Sequence, residues 1–331
     1  MALFAGRPRS ADIDQLLHKS LTEVIGGWEK NKSVAWQGYA QNYATVEKTS
    51  YIRASVEDSV AKNIPKFEGS TGCDIGCWLG FTCAAAVALG AKHVYGIEVV
   101  EDFVKFNEDW RQNFPAKDRL SFAAIKNGAV PLQTKTIDWV YINQVLCNAM
   151  PNSFSQSLKE AYRILKPGGM LVLCDSNNPY CSLTLERLLG VYRQYEIGTG
   201  TAEAPCGHNV EVRKRIIKSA APALSDEQVT SLASNTCYMS GEAIKSAALS
   251  LAVNGITATS PFRNDVSRAV CNPVNGGALG NITNPFALAA ELEELGFSTA
   301  INVSPSNEKR SNADLLEGLR VSQGFYIYAT K

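Results

Sequence analysis

The sequence predicts an α/β fold in which a doubly wound, seven-stranded and mostly parallel sheet carries a mostly helical insertion after its fifth strand. Three observations support this prediction. Strand-like and helix-like segments alternate from residue 70 to residue 175, as they do in successive βαβ units. A glycine-bearing turn follows the first of these strands. Two β-prone segments close the chain after a long stretch of helix signals.

The alternating region divides into short apolar runs and helical patterns. We predict strands over residues 72–75, 93–97, 120–125, 137–143 and 170–174, and helices over residues 81–89 and 101–113. Ser153 and Gln156 have capping-box spacing, which predicts a helix from Ser153 to about Leu165. The run Lys166-Pro167-Gly168-Gly169 then ends that helix, because proline disfavours helix in the residue before it.

The alternation stops after the fifth strand. Helix signals dominate residues 179–284, among them a capping box at Ser225 and Gln228 and a helix from Gly241 to Asn254. Residues 260–284 are rich in Asn, Pro and Gly, which indicates a long ordered loop. A helix beginning at Asn284-Pro285 and strands over residues 297–303 and 324–330 complete the sheet. The predicted organisation is a helical N-terminal segment (1–60), a core (61–178), a helical substrate insertion (179–284) and the last helix and strands of the core (285–331).

Composition and charge exclude several classes of partner. The chain has 32 basic and 32 acidic residues, so no net field attracts it to nucleic acid or to an anionic membrane. The N-terminus lacks the apolar run of a signal peptide, and no long apolar stretch predicts a membrane span. Nine cysteines without a Cys-x-x-Cys pair indicate a reduced, cytoplasmic protein with no structural metal.

The turn after the first strand has the character of a nucleoside site. Asp74-x-Gly76-x-x-x-Gly80 follows the strand, and glycine allows a ligand to approach the backbone closely. Glu98 ends the second strand, where a carboxylate can accept both hydrogen bonds from a ribose diol. A dinucleotide fingerprint would instead read G-x-G-x-x-G, and an acid at Asp74 would repel a pyrophosphate. The pattern therefore favours a cation-bearing nucleoside ligand.

Taken in order, these segments resemble the class I, Rossmann-like S-adenosylmethionine (SAM)-dependent methyltransferase superfamily. The resemblance covers residues 35–178 and 284–331. It includes the turn at residues 73–80, Glu98, the fourth-strand motif at residues 137–141 and the run Leu165-Lys166-Pro167-Gly168-Gly169. The sequence departs from the family at two positions. Trp78 stands where the family has its middle glycine, and Asn127 stands where the family usually has an acid that contacts the adenine amino group.

The resemblance implies a cofactor site and places the N-terminal segment over its cleft. Asp74 to Gly80 would hold the methionine part of SAM, and Glu98 its ribose hydroxyls. Arg53 would reach the cofactor carboxylate, with a surface arginine as the alternative. The cofactor residues implied in this way are Arg53, Asp74, Gly76, Cys77, Trp78, Gly80, Glu98, Val99, Asn127, Gly128, Asn143 and Gln144.

The expected catalytic and acceptor-binding residues follow the fourth and fifth strands or lie in the insertion. Asp175 is expected to face the methyl group, and His208 is a candidate base, because histidine titrates near neutral pH. The alternatives are a polar turn for Asp175 and a solvated histidine for His208. Asn148, Asn178, Tyr180, Arg213 and Arg263 are the candidate acceptor-binding residues.

The sequence thus predicts an enzyme that methylates a small-molecule acceptor in a capped pocket, with oxygen as the first choice of acceptor atom and nitrogen as the second. Two alternatives stay open. One is a non-catalytic binding protein that keeps the SAM fold, and the other is a nucleotide-dependent oxidoreductase. Whether the chain is a monomer or a homodimer also stays open.

Overall fold

The computed structural model describes residues 12–19, 46–149, 151–198, 205–256, 269–273 and 278–331 of the chain. Within these ranges, the side chains of residues 46–48, 151–153 and 205–208 lie outside the description.

Seven of the described strands form one sheet. In chain order its strands are β1 (Thr71–Ile75), β2 (His93–Glu98), β3 (Leu120–Ala124), β4 (Ile137–Asn143), β5 (Leu165–Asp175), β8 (Ser298–Asn302) and β9 (Phe325–Thr330). They lie side by side in the order β3-β2-β1-β4-β5-β9-β8. The first five strands are parallel, and β9 runs antiparallel to both of its neighbours. This confirms the predicted seven-stranded, mostly parallel sheet.

One face of the sheet is covered by helices from the first part of the chain. They are α1 (residues 12–19), α2 (Val46–Val56, continued by the π-helical turn Glu57–Ala61), α3 (Phe81–Ala88) and α4 (Glu101–Arg111). Ile13, Val60 and Trp110 from these elements are buried with Tyr141 and Tyr328 of the sheet. Burial of such large side chains stabilises the layer by roughly 2 kcal/mol each.

The opposite face is covered by α5 (Pro151–Ile164), α10 (Pro285–Glu294) and α11 (Asn312–Val321). Leu158, Leu292 and Leu319 from these helices are buried with Val140 and Phe325 of the sheet. Because both faces are covered, the central strands are almost continuously apolar, as in residues 137–143. We call the first face the α2/α3 face and the second the α5/α10 face.

Between β5 and β8 the chain forms a mostly helical region. Its helices are α6 (Ser182–Ile197), α7 (Pro205–Ala220), α8 (Asp226–Asn235) and α9 (Gly241–Asn254). Ser225 and Gln228 make the predicted capping box at α8, and α9 ends at Gly255 with a positive φ of 67°. None of the helices in the described ranges has both the length and the apolar character that a membrane crossing requires.

Three sequence predictions of local structure are wrong. Helix α5 begins at Pro151, so Ser153 lies inside the helix rather than at its cap. The helix ends at Ile164, as the run Lys166–Gly169 predicted, but β5 begins at Leu165 rather than at Met170, and its register with β4 shifts before Met170. The predicted loop at residues 260–284 contains two short antiparallel strands, β6 (Val270–Cys271) and β7 (Ala278–Leu279).

Candidate functional site

The two acids of the motif lie on the same face of the sheet, at its carboxyl edge. Asp74 pairs with Gly96 in β2 and with Tyr141 in β4, and paired residues direct their side chains to one face. Glu98 is two residues beyond Gly96, so it lies on this same α2/α3 face. The structure therefore brings together the two carboxylates that the sequence pattern predicted.

The turn between β1 and α3 folds tightly against the end of β2. The amides of Gly76 and Cys77 donate to the carbonyl oxygen of Ile97 at 2.7 and 3.1 Å. Gly76 has a φ of 80°, and a Cβ added there would lie 2.3 Å from the Val145 side chain. Only glycine combines this backbone with so close an approach. Gly80 likewise has a φ of 72° and packs against the Phe122 ring.

Trp78 occupies the position at which the family has glycine, and its backbone keeps the glycine-like conformation. Its φ is 47°, in the left-handed region that non-glycine residues rarely adopt. Its amide donates to Glu98 Oε2 at 3.0 Å, and its carbonyl accepts from Asn107 Nδ2 at 2.8 Å. Two hydrogen bonds thus maintain the unfavourable conformation. Asn107 is completely buried on α4, and the sequence pattern did not identify it.

Backbone amides engage both oxygens of Glu98. Oε1 accepts from the amides of Val99 and Val100 at 2.7 and 3.2 Å, and Oε2 accepts from Trp78. A carboxylate has about four lone-pair sites, so about one is left, on Oε2. Glu98 can therefore accept one ribose hydroxyl rather than the diol that the sequence suggested. Burial raises the pKa of Glu98, and the three amide donors oppose that effect.

Asp74 is buried, and hydrogen bonds only partly offset the cost of burying its charged carboxylate. Burial raises its pKa to about 7, with a further increase from Glu98, while bonds from Thr82 and Cys83 lower it. The Thr82 hydroxyl donates to Asp74 Oδ2 from the first turn of α3. Thr82 is a second residue that sequence reasoning missed, although its place in the first helical turn after the motif could have indicated it.

The remaining predicted cofactor residues lie at the same edge or on a neighbouring turn. Val99 is 67% exposed beside Glu98. Asn143 ends β4, and Gln144 follows it with a φ of 53° and donates its amide to the Cys174 carbonyl at 2.8 Å. Asn127 and Gly128, with φ values of 53° and 75°, form an exposed turn after β3 that is tied to α5 through Gln156. The structure thus gathers most of the predicted set at one edge.

Arg53 is engaged by two carboxylates. Its Nε lies 2.7 Å from Asp14 Oδ1, and its Nη1 lies 2.5 Å from Glu57 Oε2. The side chain is 13% exposed, so it is not a surface arginine. In this arrangement Arg53 ties α1 to α2.

Asp175 does not face the expected methyl position. It pairs with Phe325, whose side chain belongs to the α5/α10 face, so Asp175 lies on the face opposite Asp74. It is 2% exposed and accepts hydrogen bonds from the amides of Cys147 and Ser176. Burial raises its pKa to about 7, and these donors oppose the effect. Its observed role is to hold the loop after β4 to the end of β5.

Asn178 has a structural position rather than an acceptor-binding one. It is completely buried, and its Nδ2 donates to the carbonyls of Leu319 and Ser322 at 2.6 and 2.7 Å. Its Oδ1 accepts from the amide of Tyr180. Tyr180 itself is 38% exposed and contacts the Phe286 ring edge-on, on the α5/α10 side. Asn148 is exposed and donates to the Gln144 carbonyl at 3.2 Å.

Among the predicted residues of the insertion, the structure describes the side chain of Arg213. Arg213 is completely buried between helices, where Nε donates to the Ala233 carbonyl and Nη2 to the Tyr195 carbonyl. The expectation that it grips an anionic acceptor is therefore wrong, because its guanidinium holds helices α6, α7 and α8 together. The side chain of His208 and the whole of Arg263 lie outside the described residues.

A buried polar cluster at the return of the insertion was not identified from sequence. Asn281 donates through Nδ2 to the carbonyls of Leu146 and Ala149, and its amide donates to the Cys147 carbonyl at 2.6 Å. Asn177 donates to the Asn281 carbonyl at 2.8 Å. These bonds fix the loop after β4 to the insertion. A lone Asn in an Asn/Gly-rich stretch carries no signal for such a role.

Comparison with known proteins places the central part of the chain in a family. Residues 73–173 match a family model described as a methyltransferase domain. This segment is therefore similar to SAM-dependent methyltransferase domains. The cofactor of such a methyltransferase domain is SAM. This agrees with the position of Asp74, since a buried carboxylate suits a ligand that carries a sulfonium and an ammonium.

Two curated relatives match within the methyltransferase domain. The ribosomal protein L11 methyltransferase of Nitrosomonas europaea is 28% identical over 106 residues, which are 32% of this chain and 34% of that protein. The demethylmenaquinone methyltransferase of Lysinibacillus sphaericus is 32% identical over 111 residues, or 33% of this chain and 45% of that protein. The chain therefore spans less than half the length of either relative.

A solved structure is also similar to the chain. It is an S-adenosylmethionine-dependent methyltransferase from Mesorhizobium loti, with 14% identity, a TM-score of 0.42, and coverage of 90% of this chain and 99% of that one.

Proposed function

We propose that the chain is an enzyme that transfers the methyl group of SAM to a small-molecule acceptor, with oxygen as the first choice of acceptor atom. The observation that carries this proposal is the pair of buried carboxylates, Asp74 and Glu98, on one face around a turn with an open glycine backbone. The family match of residues 73–173 supports it.

The residues of the site fit the chemistry of this cofactor. The Asp74 carboxylate would compensate the positive charge of the methionine part, and the remaining lone pair of Glu98 would accept one ribose hydroxyl. Val99, exposed beside Glu98, offers an apolar contact to the adenine. When bound, SAM supplies an electrophilic methyl group and leaves as S-adenosylhomocysteine.

The chain's own contribution would be orientation and the exclusion of water rather than acid–base chemistry from Asp175. Holding donor and acceptor in line accounts for much of the rate of such a transfer. Asp175 lies on the opposite face of the sheet and is held there by two backbone amides, so it is not positioned to take a proton from an acceptor above Asp74. The proton of a hydroxyl acceptor would then pass to bulk water as the methylated product leaves the site.

Isothermal titration with SAM and with NAD tests the proposal. We expect SAM to bind and NAD not to bind, because a carboxylate at Asp74 repels a pyrophosphate. Asp74→Asn and Glu98→Gln should each weaken SAM binding by about tenfold or more, since each removes a charge-assisted contact. Asp102→Asn, which removes an exposed carboxylate from α4, is the matched control and should leave affinity unchanged. Absence of SAM binding at high micromolar concentration would refute the proposal.

The two alternatives give different results in the same measurements. An oxidoreductase would bind NAD, whereas a non-catalytic binding protein would bind SAM without methylating any acceptor. The relatives' names cover two acceptor classes, a ribosomal protein and demethylmenaquinone. Methylation assays with labelled SAM should therefore compare protein fractions with small-molecule extracts, and label in the protein fraction alone would exclude a small-molecule acceptor.

A further inference from the structure

A continuous row of half-buried side chains crosses the carboxyl edge of the sheet. Asn143 of β4 pairs with Cys174 of β5, which pairs with Tyr326 of β9. All three are partly exposed, and strand pairing places them on the α2/α3 face that also carries Asp74 and Glu98. The row begins beside the cofactor turn, because Asp74 pairs with the residue two positions before Asn143. We call this the edge row.

The next row of paired residues, on the same face and further from the strand ends, is mostly aromatic. The next pairs down the strands join Tyr141, Val172 and Tyr328, and all three are buried. The rings of Tyr326 and Tyr328 are stacked, with centroids 6.4 Å apart and an angle of 15° between their planes. The buried hydroxyl of Tyr328 has no hydrogen-bond partner among the described residues. A buried hydroxyl in this state costs free energy unless a partner arrives.

The groups around the edge row are uncharged or already paired. Burial raises the pKa of the Cys174 thiol to about 12 and raises the pKa of the Tyr326 phenol, so both stay neutral near pH 7. The carboxylates of Asp74 and Glu98 lie on the same face and belong to the proposed cofactor site, where the cationic cofactor would compensate Asp74. The other charges near this surface are engaged: Arg53 with Asp14 and Glu57, and Asp58 with Lys62 at 2.6 Å. An ionised acceptor would thus lose hydration here without gaining an unpaired partner charge among the described residues.

We propose that the edge row of Asn143, Cys174 and Tyr326 is the acceptor subsite, and that its ligand is an uncharged, planar molecule with a hydroxyl group. This inference rests on the proposed function, since it uses the position of the cofactor turn. It moves the acceptor away from the region of Asp175 and Tyr180, which lies on the other face. A planar ring stacks on Tyr326, and the Asn143 amide supplies a hydrogen bond to the hydroxyl group of the ligand.

The test uses 2-naphthol as the probe, titrated by calorimetry into the full chain saturated with S-adenosylhomocysteine. Three relatives of similar size test one property each: decahydro-2-naphthol is not planar, 2-naphthoate is anionic, and 2-naphthylmethylamine is cationic. We expect 2-naphthol to bind at least tenfold more tightly than each of the three. Equal or tighter binding of the anion or the cation would overturn the assigned chemistry, and no binding of 2-naphthol would overturn the subsite.

Variants locate the probe. Tyr326→Ala should weaken 2-naphthol binding tenfold or more, and Tyr326→Phe should change it less than threefold, because the ring face is retained. Cys174→Phe should abolish binding by filling the row. Tyr180→Ala reports on the competing location and should leave the affinity within twofold of the wild type. Weakening by Tyr180→Ala with no effect of Tyr326→Ala would overturn the assignment.

The same titrations separate this inference from the proposed function. S-adenosylhomocysteine affinity is measured for every variant, with circular dichroism as the check of folding. If S-adenosylhomocysteine does not bind the wild type, the proposed function fails. If it binds while 2-naphthol does not, only the acceptor subsite fails. Should Tyr326→Ala not fold, Tyr326→Phe and Cys174→Phe still decide the outcome.

Discussion

In the turn between β1 and α3, Trp78 has an unusual backbone conformation, and Asp74, just before this turn, has a buried carboxylate. Trp78 has the φ of 47° that glycine adopts easily, and its amide and carbonyl are both hydrogen-bonded. The backbone of this residue, rather than its indole, satisfies the turn. The left-handed conformation costs a non-glycine residue roughly 1–2 kcal/mol.

This conformation predicts the order of stability of two variants. Trp78→Gly should be more stable than Trp78→Ala by about 1 kcal/mol, because both lose the indole and only alanine keeps the left-handed strain. Urea unfolding gives the two free energies. Leu249 in the exposed part of α9 provides the control pair, where alanine should exceed glycine by about 1 kcal/mol. Equal stabilities of the two Trp78 variants would show that the turn relaxes without cost.

The charge of Asp74 predicts a pH-dependent affinity for SAM. Its pKa is raised to about 7 by burial, so the carboxylate is mostly protonated at pH 6 and mostly ionised at pH 8. If only the ionised form binds the cationic ligand, the apparent Kd should fall about tenfold between these pH values. Calorimetric titrations across pH 6–8 measure this. Asp74→Asn should flatten the profile, whereas Asp102→Asn should keep it. A flat wild-type profile would contradict the assigned role.

At the scale of elements, the loop after β4 is held from two sides. On one side, Asp175 at the end of β5 accepts a hydrogen bond from the Cys147 amide of this loop. On the other side, the Asn281 side chain donates to two carbonyls of the loop. Tyr192 of α6 donates to the Gly280 carbonyl at 2.6 Å, which extends the connection into the insertion. The loop that lines the predicted cofactor edge is thus coupled to the helices of the insertion.

Loss of the Asn281 side chain should destabilise the protein. Asn281→Ala leaves two buried carbonyls, those of Leu146 and Ala149, without their donor. We expect the free energy of unfolding to fall by roughly 2–4 kcal/mol. Urea unfolding measures it, and Asn254→Ala at the exposed end of α9 should change it by less than about 0.5 kcal/mol. A loss for Asn281→Ala as small as that of the control would mean that water replaces the amide.

At the scale of the whole molecule, helix layers on both faces of the sheet bury ionisable groups at the carboxyl ends of its strands. Asp74 and Asp175 lie on opposite faces, and burial raises the pKa of each to about 7. The ordinary pKa of an aspartate side chain is 3.8. Between these values the folded protein holds more protons than the unfolded chain, so the free energy of unfolding falls as pH rises through that window.

This linkage predicts how one substitution changes the stability profile. Asp74→Asn cannot ionise, so its stability relative to the wild type should increase from pH 5 to pH 8. The relative gain should be on the order of 3 kcal/mol. Thermal and urea unfolding at both pH values measure the difference, and Asp102→Asn should show none. A difference that does not grow with pH would show that Asp74 titrates near its ordinary value in the folded protein.

The sequence by itself determined the first five strands along the chain, the turn that follows Asp74, and the position of Glu98 at the end of β2. These features depend on local patterns: apolar runs give strands, glycines give the turn, and caps such as Ser225 mark helix starts. The same patterns placed the end of α5 correctly but misplaced its start, and they began β5 at Met170 instead of Leu165, because a Pro-Gly run carries no local sign that strand pairing continues through it.

Only the tertiary structure decided which side chains face one another. Asp175 and Cys174 are neighbours in sequence, yet the alternation of β5 directs them to opposite faces. The sequence made Arg213 a candidate acceptor-binding residue, whereas packing of the insertion buries it among backbone carbonyls. Tyr326 lies far from the motif in the chain and reaches the edge row through strand pairing alone. The pairing of strands that are distant in the chain, and the burial of one polar side chain among others, depend on contacts that the local sequence does not encode. Only the folded structure could therefore show them.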